Sequence, residues 1–337
     1  MKAIGYYHAG TIDREDALLD LELDAPSPGS RDLLVRVKAI SVNPVDTKMR
    51  AASKPKDGSA KVLGWDAAGV VDAVGADVSL FNVGDEVFYA GEVMRQGTNA
   101  ELHVVDERIV GRKPRTLDWA QAAALPLTSL AAWELLFDRL RVPHDQTSQG
   151  KSILVINGAG GVGSILIQLV RKLTGLTVIA TASRPETIAW VKDMGAHHVI
   201  DHHKQLDEEL ATIGFREVNY VASLSGSDLH LRYFPKIIAP QGSLALIDDP
   251  QSFDIVSLKR KSITVAWEGM FVRSLFHTDD MIEQHKILNQ IAELMDSGVL
   301  RTTLTQCLHP INAANLKAAH RILESGTAIG KIALTDF

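Results

Sequence analysis

Ser152-Ile153-Leu154-Val155-Ile156-Asn157-Gly158-Ala159-Gly160-Gly161-Val162-Gly163 decides how the rest of this chain is read. Residues 152–157 form a short apolar, β-branched run, the pattern of a buried strand. It runs directly into G-x-G-x-x-G, Gly158 to Gly163. Beyond it, Val162, Ile165, Leu166, Leu169, Val170 and Leu173 recur at helical spacing, and Gly175 supplies a stop signal. Thr177 to Ala182 is a second strand, so the whole reads as one βαβ unit.

Each glycine has a physical task in such a unit. The first permits the tight turn, the second lets backbone approach a pyrophosphate, and the third lets the helix pack on the strand while its N–H groups face the anion. In this strand, turn and helix context the motif predicts dinucleotide binding by Gly158, Gly160, Gly161, Val162 and Gly163. An NAD-preferring site has Asp or Glu about 20 residues beyond the glycines, to accept from the ribose hydroxyls. Here Ser183-Arg184 stands there, a hydroxyl and a guanidinium that suit a 2′-phosphate. NADPH is therefore expected over NADH. Ser183 has a second reading, as the cap of a helix that begins at Pro185, with Glu186 completing a capping box.

Outward from this unit the period changes on both sides. Residues 1–123 hold many short strands broken by turns, among them Leu33 to Ile40, Ala68 to Gly75, Gly84 to Ala90 and Ala100 to Val105, which predicts a β-rich, barrel-like module. From 124 to 268 strands and helices alternate, as in a doubly wound parallel sheet. Leu130 to Leu140 is helical, and later strands are expected at Val199-Ile200, Tyr220 to Leu224, Gly242 to Ile247 and, at the edge, Ile263 to Trp267. Ser225 and Ile247 fall at the carboxyl ends of two of these strands, where open parallel sheets bind ligands, and are added as cofactor contacts. Residues 269–337 are too few for a domain and return to complete the first module. Their elements are a helix from Met281 to about Ser297, a strand at Thr302 to Leu308, a helix at Asn312 to Leu323 and a strand at Lys331 to Leu334.

Composition narrows the class. The chain has 337 residues, 46% hydrophobic and 23% charged, with a formal charge of -6, and no basic block that would gather phosphates along a duplex. No nucleic-acid partner is expected. The first residues, Met1 to His8, are too short and polar an opening for a signal peptide, and no run of about 18 apolar residues is apparent, so a cytoplasmic protein without membrane contact is expected. The single cysteine, Cys307, excludes a disulfide framework and a multi-cysteine zinc site within one chain, and reads as a buried, inert thiol.

Taken together, Ser41-Val42-Asn43-Pro44-Val45-Asp46-Thr47-Lys48, Gly64-Trp65-Asp66-Ala67-Ala68-Gly69-Val70-Val71, Val83-Gly84-Asp85-Glu86-Val87, Leu125-Pro126-Leu127-Thr128-Ser129-Leu130-Ala131-Ala132-Trp133 and Gly330-Lys331-Ile332 resemble the medium-chain dehydrogenase/reductase superfamily over essentially the whole chain. The nearest likeness is to the quinone oxidoreductase and zinc-type alcohol dehydrogenase-like branch that lacks the zinc ligands. The resemblance implies a GroES-like catalytic domain, a Rossmann domain, an active site in the cleft between them, and a homodimer formed along the sheet edge near Ile263 to Trp267.

The departures from that family are informative. Zinc-dependent relatives have a cysteine where this chain has Asn43, a histidine where it has Trp65, and a cysteine or acid near Leu127; the structural-zinc cysteines are also absent. Catalytic zinc needs three soft or borderline ligands, so no zinc is expected. His197-His198 and His202-His203 are the one rival metal cluster, but neighbours on a strand point opposite ways. In the family's terms His202 stands where quinone reductases carry a tyrosine beside the adenosine 2′-phosphate, and Lys331 is a further cofactor contact.

The resemblance also supplies the catalytic candidates. Asn43 is the donor to a developing enolate or quinol oxygen; its other reading is a turn residue before Pro44. Thr128 lies against the nicotinamide, or else caps the helix from Ser129 to Leu140. Lys48 stands where quinone reductases have tyrosine, as an electrostatic stabiliser or proton donor, or else is a solvated lysine. Asp46 and Asp66 read as structural, and Trp65, Tyr89, Trp267 and Phe271 as lining for a flat apolar ligand. The expected function is an NADPH-dependent, zinc-independent oxidoreductase that transfers hydride to a quinone or an α,β-unsaturated carbonyl. A zinc-dependent alcohol dehydrogenase and an NADPH-binding protein of low turnover are the competing readings.

Overall fold

A strand covered on both faces organises the first part of the fold. In the computed structural model, which describes residues 1–55 and 58–337, the chain opens with β1 (Lys2–Tyr6), β2 (Leu19–Glu22) and β3 (Asp32–Val42). Then come α1 (Pro44–Ala52), β4 (Lys61–Val62), β5 (Asp66–Val74), β6 (Glu86–Tyr89), β7 (Leu102–Asp106) and β8 (Val110–Arg112). Nine of the eleven β3 residues are buried, because β5, β7 and a late strand all pair with it.

The next segment contains α2 (Trp119–Ala123), α3 (Pro126–Trp133) and a π-helical stretch, Glu134–Arg139. β9 (Ser152–Ile156) is buried at every position and leads into α4 (Gly161–Leu173). β10 (Thr177–Thr181), α5 (Pro185–Met194), β11 (His198–Ile200), α6 (Leu206–Thr212), β12 (Val218–Ser223), α7 (Ser227–His230), α8 (Phe234–Ile237), β13 (Ile238–Leu246) and β14 (Thr264–Trp267) follow. These six strands form one parallel sheet in the order β11-β10-β9-β12-β13-β14. That is the doubly wound order, with its reversal at β9, and continuous apolar strands such as β9 are what coverage on both faces requires. One face packs Leu154, Ile179, Val221 and Leu244 against Phe234 and Leu210.

After α9 (Val272–Leu275) and α10 (Glu283–Asp296) come β15 (Leu304–Leu308), α11 (Ala313–Glu324) and β16 (Lys331–Thr335). β16 inserts antiparallel beside β3, with Ile332 opposite Val42, and β15 forms the sheet edge. The chain divides into two compact units, Met1–Leu130 with Phe271–Phe337, and Ala131–Met270. Periodicity put these borders at 123/124 and 268/269. The difference at the first border has a physical cause, because the Leu127 N–H donates to the Asp66 carboxylate at 2.7 Å and ties the first turn of α3 to the first unit.

Trp119–Arg139 is one helical run long and apolar enough to cross a membrane, which the sequence reading did not anticipate. Burial in the protein covers 94% of its most apolar window, as in a core helix.

Candidate functional site

In the unit Ala131–Met270, the glycine turn lies where β9 meets α4, at the reversal of strand order. Asn157 makes the corner in the left-handed region at φ 61°, which asparagine tolerates better than most residues. Its backbone N–H donates to the Thr181 hydroxyl at 2.8 Å and its side-chain amide to the Ser225 hydroxyl at 2.8 Å. A Cβ at Gly163 would come within 2.5 Å of the Gly158 carbonyl oxygen, so the third glycine is needed for helix and turn to touch. A Cβ at Gly160 would meet nothing closer than the Asn157 amide at 3.4 Å, so packing does not require the second glycine. The first N–H groups of α4, from Gly161 to Gly163, have no intrahelical acceptor, and with the helix dipole they form an anion-binding end. This cradle fits a dinucleotide pyrophosphate.

Ser183 and Arg184 follow β10, both half-buried. The cap expected of Ser183 falls one residue later. Arg184 is the N-cap of α5, its N–H donating to the Thr187 hydroxyl at 3.1 Å, with Pro185 in the first turn. The Arg184 guanidinium, 37% exposed, pairs with Glu186 at 3.3 Å. His202 lies half-buried past β11, its Nδ1 buried without a partner, and burial lowers its pKa. Ser225 follows β12 and holds Asn157, and Ile247 follows β13, with its N–H on the Ser223 carbonyl at 3.2 Å. Asn157 was missed by the sequence reading, although an asparagine closing a strand before a glycine turn is a usable signal.

In the other unit, strand register builds a buried polar cluster. Ser41 of β3 lies opposite Asp66 of β5, and Val42 opposite Ile332 of β16, so Asn43, Asp66 and Lys331 meet. Lys331 Nζ donates to the Val42 carbonyl at 2.9 Å, to Asn43 Oδ1 at 2.5 Å and to Asp66 Oδ2 at 3.0 Å. Asn43 Nδ2 donates to Asp66 Oδ2 at 2.7 Å. The amide orientation is fixed by chemistry, since an ammonium only donates and a carboxylate only accepts. All three side chains are at most 3% exposed. Both Asp66 oxygens are occupied, and so are all three ammonium hydrogens. Among the described residues the second Nδ2 hydrogen of Asn43 carries no such bond.

Asn43 also begins α1, where its N–H donates to Asp46 Oδ2 at 2.7 Å. Burial pushes the Asp46 carboxyl up to about 7, opposed by the Asn43 N–H and the Lys331 charge. Thr128 is buried within the first turn of α3, which starts at Pro126, so it is not a cap; its hydroxyl donates to the Leu125 carbonyl at 3.2 Å. Lys48 lies on the exposed side of α1, apart from the cluster. Lys331, expected at the cofactor, has its ammonium committed to Asn43 and Asp66. Asp66, expected as structural, is the centre of the cluster. Its signal was a carboxylate among small apolar residues, balanced by a lysine in another buried strand.

Of the aromatic candidates, Trp65 and Phe271 meet edge to face at 5.8 Å, and the Trp65 indole N–H donates to the Glu92 carbonyl at 3.1 Å. Tyr89 is core, hydrogen-bonded to His103, and Trp267 lies 53% exposed on edge strand β14. The His197 ring accepts from the Val178 N–H while His198 packs on Phe215, and among the described residues no three His, Cys, Asp or Glu side chains are placed to hold a metal. Cys307, expected to be buried, is exposed, because β15 has a strand neighbour on one side only.

Comparisons with known proteins agree with this architecture. The family described as alcohol dehydrogenase GroES-like domain matches residues 29–115, and that described as zinc-binding dehydrogenase matches residues 194–334. A zinc-type alcohol dehydrogenase-like protein of Staphylococcus epidermidis is 41% identical over 336 residues, 99% of each chain. A solved structure from Rhizobium etli CFN 42, named as a zinc-dependent alcohol dehydrogenase, is 57% identical with a TM-score of 0.96, covering 100% of this chain and 98% of the other. An NADPH-dependent alkenal/one oxidoreductase of Arabidopsis thaliana is 38% identical over 220 residues, 62% of this chain and 54% of its own. With a Rossmann sheet, a GroES-like unit and relatives of this kind along its full length, the chain belongs to the medium-chain dehydrogenase/reductase superfamily of oxidoreductases.

Proposed function

We propose that the protein is an NADPH-dependent, zinc-independent reductase whose acceptor is a quinone or an α,β-unsaturated carbonyl. The Asn43, Asp66 and Lys331 cluster carries this reading. Where zinc-dependent relatives hold their metal, this chain offers an amide oxygen already accepting from an ammonium, an indole that only donates, and the aliphatic Leu127. Catalytic zinc takes three N, S or carboxylate ligands, and this donor set does not fit it. A simple alcohol would then lack a Lewis acid for its alkoxide. An already activated acceptor does not need one.

Bound NADPH would supply the hydride. When hydride adds to the β-carbon of an enone, the π pair moves to the carbonyl oxygen and a solvent proton later completes the α-carbon. The task left to the chain is to stabilise charge on that oxygen, and the uncommitted N–H of Asn43 suits it. For the cofactor, the cradle from Gly158 to Gly163 suits the pyrophosphate, while Ser183, Arg184 and His202 suit the 2′-phosphate. Arg184 would exchange an exposed pair with Glu186, worth little in water, for a doubly charged phosphate. The Arabidopsis relative, named for NADPH and for alkenals, supports the same reading. In this reading the enzyme is a cytoplasmic homodimer paired along β14.

The test is NADPH consumption with a panel of quinones and alkenals, alongside metal analysis of the purified protein. Turnover with at least one acceptor, tighter binding of NADPH than NADH, and metal far below one ion per chain are expected. Arg184→Ala should reduce the preference for NADPH by roughly five- to tenfold, the worth of a half-exposed charged hydrogen bond. An unchanged ratio refutes the assignment of Arg184. Stoichiometric zinc with alcohol oxidation refutes the whole reading, and calorimetric binding without any turnover leaves a nucleotide-binding protein.

A further inference from the structure

The cluster holds one cation that no ligand or metal provides. Its position is fixed more tightly than a surface lysine ever is, since three acceptors surround Nζ at 2.5–3.0 Å and the residue is 3% exposed. We infer that Lys331 is a positioning residue. Its ammonium takes over the charge that a metal holds in zinc-dependent relatives, and it locks the Asn43 amide so that one N–H is left for the substrate oxygen. The inference rests on the reductase reading for its chemistry, but not for its geometry.

An asparagine amide has two N–H donors and one carbonyl oxygen, all in one plane. Lys331 takes the oxygen and Asp66 takes one N–H, so the amide cannot flip without setting the NH2 group against an ammonium and the oxygen against a carboxylate. Planarity then fixes the direction of the remaining N–H. A donor fixed before reaction needs no reorganisation as charge builds on the substrate. The positive charge of Lys331 lies one bond network away, polarising that donor without touching the substrate, while the Asp66 carboxylate, held also by the Leu127 N–H, keeps the lysine in place. With every hydrogen committed, the ammonium is not free to give a proton or to grip a phosphate. This separates it from a cofactor-binding lysine.

The decisive variants are Lys331→Arg and the neutral pair Lys331→Met with Asp66→Asn, the second avoiding an unpaired buried carboxylate. Each is checked by circular dichroism and melting before use. The neutral pair should lose roughly a hundredfold in kcat, as for a displaced oxyanion donor, while KM and Kd for NADPH stay within about twofold. Lys331→Arg should recover much of the rate, because a guanidinium still donates to Asn43 Oδ1. An intact kcat in the neutral pair, or a rise in NADPH Kd without a fall in kcat, overturns the inference.

A second readout needs no turnover. In 15N spectra the wild-type Lys331 ammonium should be visible and slow to exchange, and the two Asn43 amide protons should give separate resonances, the one bonded to Asp66 downfield of the other. Both features should vanish in the neutral pair. A fast-exchanging ammonium overturns the inference even if the enzyme is active. Wild-type protein that turns over no acceptor but keeps these signals refutes the reductase reading and leaves the locked amide standing.

Discussion

The glycine turn of one unit and the Asn43 cluster of the other solve opposite problems with opposite materials. At the start of α4 the donors are backbone N–H groups left over by helix geometry, supplied by residues within six positions of one another. Around Asn43 the groups are side chains drawn from two strands and a helix start, with a backbone carbonyl from a third strand, and all but one hydrogen of the Asn43 and Lys331 donors is used up internally. The first arrangement stays unsatisfied so that a mobile anion can complete it. The second is nearly self-sufficient, and its single open donor is specific because everything around it is closed.

The comparison can be broken most severely at Lys331. Lys331→Met alone leaves Asp66 as a buried, unpaired carboxylate and should cost roughly 3–5 kcal/mol of stability, measured by denaturant unfolding. A cost near zero would mean that the cluster is not closed. Two glycines sharpen the contrast from the other side. Gly163→Ala drives a methyl against the Gly158 carbonyl and should destabilise by about 1–3 kcal/mol as well as weaken NADPH binding. Gly160→Ala should leave the melting temperature nearly unchanged, since its methyl meets nothing closer than 3.4 Å, and weaken NADPH binding alone, since the second glycine of such a turn is where backbone approaches the pyrophosphate. If both variants melt alike and bind alike, the turn is not divided into packing and cradle as described.

Per step of the measurement the effect is small at Asp46, where stability is followed one pH unit at a time. Its folded-state pKa of about 7 exceeds the ordinary 3.8, so between pH 4 and 7 the folded chain keeps a proton that the unfolded chain has lost. Stability from this residue therefore falls as pH rises through that window, by about 1.4 kcal/mol per pH unit at most. His103 and His320, with pKa values lowered by burial to about 4 and about 3, act in the opposite direction. Subtracting the pH profile of Asp46→Asn from that of the wild type isolates the aspartate, and a flat difference would show that Asp46 stays ionised.

What could be read from the sequence follows the same division. The glycine turn, its strands and its doubly wound order were legible because local spacing encodes them, and β11 to β14 form within a few residues of their expected positions. Asn43 was legible through the resemblance. Its partners were not, because Asp66 and Lys331 are 23 and 288 positions away, and only strand register brings the three together. Cys307 was misjudged for a related reason: alternation marks a strand, but not whether that strand lies at an edge. The cap of α5 shifted from Ser183 to Arg184 because Thr187, rather than Glu186, reaches back to the helix start.

The pairing of β16 with β3 has a consequence for biogenesis. Lys331 reaches the Val42 carbonyl across 289 residues of chain, which a ribosome working at about 5–20 residues per second needs roughly 15–60 s to produce. For most of that interval, the last 265 residues of it, Asp66 is already made while its countercharge is not. The nascent first unit must therefore wait, hydrated or chaperoned, and the electrostatic lock at its centre closes only after β16 has been made.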